Sequence, residues 1–313
     1  MNRLLLANLT LLVPVLSWGL PIPFLDELFD RWDPVLSSVI RYWIGLPLVW
    51  LLWRLTRKKE DGPLKPADLA WWPVVRISIF GLIAFSVVYS YALDYMHPVT
   101  AAVFSAAAPV ITALVARFGF GEPLAKGYGL AILLSLIGGV LTTVDPGAVD
   151  GAWLELRGGE PLILLATVIW SWYSLASQRL YPGLNGLHMT TLTFLPVAII
   201  MPLLYLALLA VGLANPPPPS ETWRADDLGV QAWFGVFGIA AAILTWNIGV
   251  RLVGVVIASL YLNLVPIATI AVSYLLGKDP RPLQLVGVAI VLAGVIQAQL
   301  RLARRQKALG RLS

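Results

Sequence analysis

Cysteine is absent from the chain. No disulfide and no thiolate-bound metal can form. Charge is scarce as well. Of the 313 residues, 12% are Asp, Glu, Lys or Arg, against about 25% in soluble domains. Hydrophobic residues make up 58%, and the mean hydropathy is +0.80. Such a chain cannot solvate itself as a globule, so the composition is that of a multi-span membrane protein. Histidine occurs only at His97 and His188, and neither has a metal-ligating partner at helical spacing. No Gly-rich phosphate loop, HExxH pair or nucleophile elbow is present, and no apolar run holds two carboxylates. Nothing here assembles a catalytic centre or holds ATP. Neither an enzyme nor an ATP-driven pump is expected, and no cofactor or metal.

What is present is a series of apolar runs. They fall at 4–21, 34–53, 74–95, 99–119, 127–144, 161–179, 187–211, 229–250, 255–276 and 283–301. Each is expected to be helical, because a lipid-facing strand leaves its backbone polar groups unsatisfied. The first run resembles a signal peptide, but no small-x-small cleavage site follows it. It is read as the first transmembrane helix. With both termini on the cytoplasmic side, the inner segments hold 16 Lys and Arg and the outer loops hold 5. That asymmetry is the positive-inside pattern. The basic tail 302–313 then reads as a topology signal beside anionic lipid, not as a nucleic-acid contact.

The two halves echo one another. Residues 104–123 read FSAAAPVITALVARFGFGEP, and 261–280 read YLNLVPIATIAVSYLLGKDP. The offset is 157 residues, and each copy carries Pro, then an acid and a second Pro at its end. At the same offset Gly81 meets Gly238, Tyr89 meets Trp246 and Ser90 meets Asn247. Five spans per half is an odd number, so the second half enters the membrane from the opposite side. The expected fold is an all-α membrane protein of ten transmembrane helices in two inverted five-helix repeats. The expected organisation is a first repeat at 1–146, a periplasmic linker at 147–160, a second repeat at 161–301 and the tail at 302–313.

Polar and aromatic residues inside the spans are the candidate site. They include Trp18, Tyr89, Ser90, Trp170, Trp246, Asn247, Tyr261 and Asn263. Indole and phenol rings can stack on a flat solute or hold a cation. The competing role for Trp and Tyr is an interfacial belt, and for Asn263 the joining of helices. Arg41 is the one basic residue expected at depth; it offers a fork for a carboxylate, or snorkels toward Asp30 or Asp33. Asp94 and His97 are read as a possible outer proton relay or a solvated loop pair. Pro109 and Pro266 are read as helix kinks, either gating or static. Glu122 and Asp279 each precede a Pro, which suggests N-caps of the next helix first and gate ions second. Asn263 stands where the first half has Ala106, which marks it as a candidate for recognition.

These residues resemble the EamA-type branch of the drug/metabolite transporter superfamily. The likeness is carried by Trp18-Gly19, Arg41, the Pro109…Gly121-Glu122-Pro123 run, the Gly-rich fifth span and Pro266…Asp279-Pro280. It extends over about 4–301. It implies an alternating-access carrier of the bacterial inner membrane, with a cavity between two five-helix bundles. Bacterial members export amino acids, aromatic ones among them; others carry choline, sugars or organic anions. The resemblance therefore implies export of a small metabolite, most readily an amino acid or another amphiphilic zwitterion. An organic-cation or choline-type carrier is the alternative, and a membrane-embedded enzyme on lipid-linked substrates a remote one. The expected partners are the solute and the bilayer, and the expected state is a monomer or weak dimer.

Overall fold

The computed structural model describes residues 3–21, 28–56, 71–95, 104–122, 127–143, 158–180, 184–275, 277 and 279–308. Regular structure among the described residues is entirely helical. The elements are α1 (Arg3–Gly19), α2 (Pro34–Thr56), α3 (Trp71–Leu93), α4 (Ala108–Gly119) and α5 (Gly129–Thr143). They continue with α6 (Glu160–Leu180), α7 (Gly186–Ala210), α8 (Ala225–Val253), α9 (Val255–Leu275) and α10 (Pro282–Ala308). Six of these, α2, α3, α7, α8, α9 and α10, are long and apolar enough to cross a membrane. Shorter apolar helices are formed by α1, α4 and α5.

The helices are not uniform. A wide π turn occupies Ser78–Ile83 in α3 and another occupies Phe234–Ala241 in α8. The two lie at equivalent places in the repeat, around Gly81 and Gly238. A π turn shifts the hydrogen-bond ladder by one residue and is common at functional sites. Here the Gly238 carbonyl accepts from Trp18 Nε1 at 2.8 Å.

The repeat also places Pro109 and Pro266. Helix α4 starts at Ala108, after a turn at 106–107, and Pro109 lies in its first turn. In α9 a 3₁₀ segment, Tyr261–Leu264, gives way to α-helix at Val265, one residue before Pro266. The two α-helical starts are 157 residues apart. Pro109, in the first turn of α4, has no intrahelical N–H bond to lose, so the interior penalty of roughly 3 kcal/mol does not arise there. Pro266 lies within α9, where the helix changes from 3₁₀ to α-helical bonding.

The expected acid caps are corrected. Helix α10 begins at Pro282, three residues beyond Asp279. The Arg281 N–H donates to Gln284 Oε1 at 3.0 Å, and the Arg281 carbonyl accepts from Leu285 N–H. Arg281 is thus the cap, Pro282 the first helical residue, and Gln284 half of a capping box. Glu122 lies well before the start of α5 at Gly129 and forms an exposed ion pair with Arg179 at 3.2 Å.

Helices α5 and α10 pack along each other and join the two halves. Their backbones touch. A Cβ on Gly287 would lie 2.5 Å from Thr142 N, and one on Gly138 would lie 2.6 Å from Val291 N. Small residues permit this approach where lipid provides no hydrophobic drive between helices. The junction continues at Asn263, whose Nδ2 donates to the Ala106 carbonyl (3.0 Å), the Ser135 carbonyl (2.8 Å) and Ser135 Oγ (2.9 Å). The residue that breaks the sequence symmetry therefore bonds to its own counterpart.

Candidate functional site: an aromatic cluster and a buried arginine

Trp18 on α1, Trp170 on α6 and Trp246 on α8 come together. Their ring centroids are 5.7 Å apart for Trp18–Trp170, 5.7 Å for Trp170–Trp246 and 6.5 Å for Trp18–Trp246. Phe85 on α3 joins Trp170 at 5.0 Å and stacks on Tyr89 at 5.3 Å. Tyr173 adds a further ring beside Trp170. Local helix geometry explains the grouping: Trp170 and Tyr173 are three apart, Phe85 and Tyr89 four apart, and such pairs share a face. These rings turn toward one another. Trp246 and Trp170 are buried, Trp18 and Phe85 are half-buried, and Tyr89 is 37% exposed.

Hydrogen bonds fix the buried side of the cluster. Trp246 Nε1 donates to Ser174 Oγ at 2.9 Å. Asn247 Nδ2 donates to Thr190 Oγ1 at 2.9 Å and to the Tyr173 hydroxyl at 3.2 Å. Two buried polar atoms in the same place, Trp170 Nε1 and Asn247 Oδ1, have no hydrogen-bond partner among the described residues. Leaving such groups unmade normally costs about 1–3 kcal/mol each.

Arg41 lies in a second group. It is 8% exposed, and its Nε donates to Gln231 Oε1 at 3.1 Å. Gln231 Nε2 in turn donates to Ser37 Oγ at 2.8 Å. The guanidinium carbon sits 4.4 Å from the centroid of Phe234 and 5.6 Å from that of Phe29. The expected pairing with Asp33 is not formed. Asp33 instead caps α2 through Val35 N–H and Leu36 N–H and accepts from Asn215 N–H. Asp227, one turn before Gln231, is taken by Arg31 and by Trp32 Nε1.

The remaining expected residues lie apart. The Tyr261 hydroxyl donates to Asn8 Oδ1 and accepts from Gln299 Nε2 at 2.7 Å, which ties α9 to α1 and α10. Asn263 is committed to the α4–α5–α9 junction described above. Ser90 is buried on α3 beside Tyr89 in sequence. His97 and the side chain of Asp94 lie outside the described residues. Sequence reading missed Phe85, Phe234 and Gln231. Phe85 had a signal in its four-residue spacing to Tyr89, and Gln231 in being an amide near the start of an apolar run. Among the described residues, no group of His, Asp or Glu is arranged to hold a metal.

The EamA-like transporter family model matches this chain twice, over residues 5–144 and 157–298. The chain belongs to the EamA-like transporter family. It is therefore a multi-pass membrane transporter of the drug/metabolite transporter superfamily and not an enzyme. Among curated relatives, the "Uncharacterized transporter YyaM" of Bacillus subtilis is 25% identical, covering 85% of this chain and 84% of that protein. The "Uncharacterized transporter YrdR" of the same organism is 24% identical, covering 94% and 91%. A "Probable terminal-alkyne amino-acid exporter" of Streptantibioticus cattleyicolor is 25% identical, covering 73% of each. A crystal structure of another protein superposes with a TM-score of 0.71 at 21% identity, over 96% of this chain and 98% of that one. That likeness concerns the fold.

Proposed function

We propose that this transporter is a secondary carrier that exports a small amphiphilic metabolite with a flat apolar part, most simply an aromatic or other amphiphilic amino acid. The observation that carries the reading is the contact of Trp18, Trp170 and Trp246, drawn from three helices of both halves. Rings at these separations present faces and edges that suit another ring. Trp18, Phe85 and Tyr89 leave this cluster partly accessible. The amino-acid exporter among the relatives supports the substrate class. The proposal includes ten crossings in two inverted repeats, cytoplasmic termini and a place in the bacterial inner membrane. The repeat offset and the skewed distribution of Lys and Arg support that topology.

An organic cation is the competing solute, because indole faces also attract quaternary ammonium. The buried guanidinium of Arg41 weighs against it. The test is counterflow in proteoliposomes with phenylalanine, tryptophan, alanine and choline as competing solutes. Aromatic amino acids are expected to exchange, and Trp170→Ala to weaken their apparent affinity about tenfold. Exchange of choline with no exchange of amino acids would reverse the assignment.

A further inference from the structure

We infer that Arg41 docks a single carboxylate of the transported solute, and that Gln231 is the positioning residue that keeps the guanidinium available for it. The inference rests on the reading of the aromatic cluster as the solute site.

Among the described residues the guanidinium is held but not neutralised. Gln231 takes only Nε, and Ser37 fixes the Gln231 amide from behind. Arg41 Nη2 is buried with no hydrogen-bond partner among the described residues. The acids that lie near in the fold are committed elsewhere: Asp33 to the start of α2 and Asn215, Asp227 to Arg31 and Trp32. Burying a charge without a counter-ion is costly, and a neutral amide orients the group without removing that cost. A carboxylate provides both the charge and a pair of acceptors for the Nη edge. Phe234 and Phe29 lie against the guanidinium, and aromatic faces tolerate a cation without competing for its donors.

The ligand is a monoanion on the same grounds. Arg41 offers one positive charge, and Asp227 stands one helical turn from Gln231 on α8. With Asp227 already paired to Arg31, Arg41 is the one uncompensated positive charge of this group among the described residues, so a dianion such as a phosphate ester would leave one of its charges without a counter-ion. The two groups are linked along α8. Phe234 opens the π turn whose Gly238 carbonyl holds Trp18, four residues along the same helix. We place the other end of a solute held by Arg41 on the side of Trp18, which bonds to this same helix.

Gln231→Glu is the decisive variant. It places a permanent carboxylate on Arg41 with one atom changed, so it should raise the melting temperature of the empty protein. At the same time it should abolish the carboxylate subsite. The measurement is thermal stabilisation of the full chain in detergent by phenylalanine, phenylalaninamide and alanine. Wild type is expected to be stabilised by phenylalanine at least about tenfold more effectively than by the amide. In Gln231→Glu, and in Arg41→Gln, that preference should vanish. If Gln231→Glu is more stable yet keeps the full preference for phenylalanine, Arg41 is structural and the inference falls. Equal stabilisation by phenylalanine and its amide in wild type also overturns it, while leaving the aromatic-solute reading intact. Stabilisation by alanine and not by phenylalanine, lost in Arg41→Gln, would retain the carboxylate site and overturn the aromatic reading. Failure of all three probes on wild type overturns both.

Discussion

Individual side chains in this protein divide between holding helices together and waiting for a partner. Asn263 belongs to the first kind. Its amide hydrogens are shared between Ala106 and Ser135, on different segments, at 2.8–3.0 Å. Asn263→Ala removes those donors and leaves buried acceptors unsatisfied, so it should cost about 1–3 kcal/mol of stability. Thermal unfolding in detergent would show this as a lowered midpoint, with solute affinity little changed in the protein that remains folded. A large loss of affinity at unchanged stability would place Asn263 in the solute site instead. Trp170, Asn247 and Arg41 belong to the second kind, because each keeps a buried polar atom without a hydrogen-bond partner among the described residues. Residue type alone did not separate the two kinds. An asparagine inside an apolar span reads the same whether its partners are neighbouring carbonyls or a ligand.

At the level of helices, some departures from regularity recur with the repeat, while the π turn Val115–Gly119 of α4 corresponds to plain α-helix at 272–275 in α9. The π turns of α3 and α8 sit around equivalent glycines, and the α-helical starts before Pro109 and Pro266 share one offset. The glycines nonetheless differ in what confines them. A Cβ on Gly287 would meet the backbone of α5, at Thr142 N (2.5 Å) and the Gly138 carbonyl (2.8 Å). A Cβ on Gly238 would first meet the Phe234 side chain, at 2.6 Å from its ring. Backbone cannot step aside as a ring can. Gly287→Ala should therefore destabilise by about 1–3 kcal/mol, and Gly238→Ala by clearly less. Comparison of the two unfolding midpoints checks this; the reverse order would mean that the α5–α10 contact is looser than the close approach implies. The acid caps were the element-level misreading. An acid before proline suits an N-cap in sequence, but a second proline two residues after Pro280 offered another start, and Gln284 completes the cap there.

Across the whole molecule, the sequence made the membrane class, the helical fold and the family legible. Hydropathy and the 157-residue echo are long-range patterns that survive the loss of local detail. The aromatic half of the candidate site was partly legible, since Trp18, Trp170 and Trp246 stood out as polar-edged rings inside spans. Their mutual contact was not, because they lie on α1, α6 and α8, and only packing brings those faces together. The pairing of Gln231 was not legible for the same reason: its partner Arg41 is 190 residues away. The central claim is that the space beside Trp18, Phe85, Tyr89 and Trp170 takes the solute. The natural absence of cysteine gives a direct test. Tyr89 is stacked on Phe85 and 37% exposed, whereas Leu203 on α7 is 61% exposed on an apolar stretch. Tyr89→Cys and Leu203→Cys each create a single reactive thiol. In proteoliposomes, a charged water-soluble thiol reagent should label Tyr89→Cys and not Leu203→Cys, and phenylalanine or tryptophan should slow that labelling several-fold, on the order of the site's occupancy. Labelling of Tyr89→Cys that no such solute slows, or a thiol there that water-soluble reagent never reaches, would contradict the account.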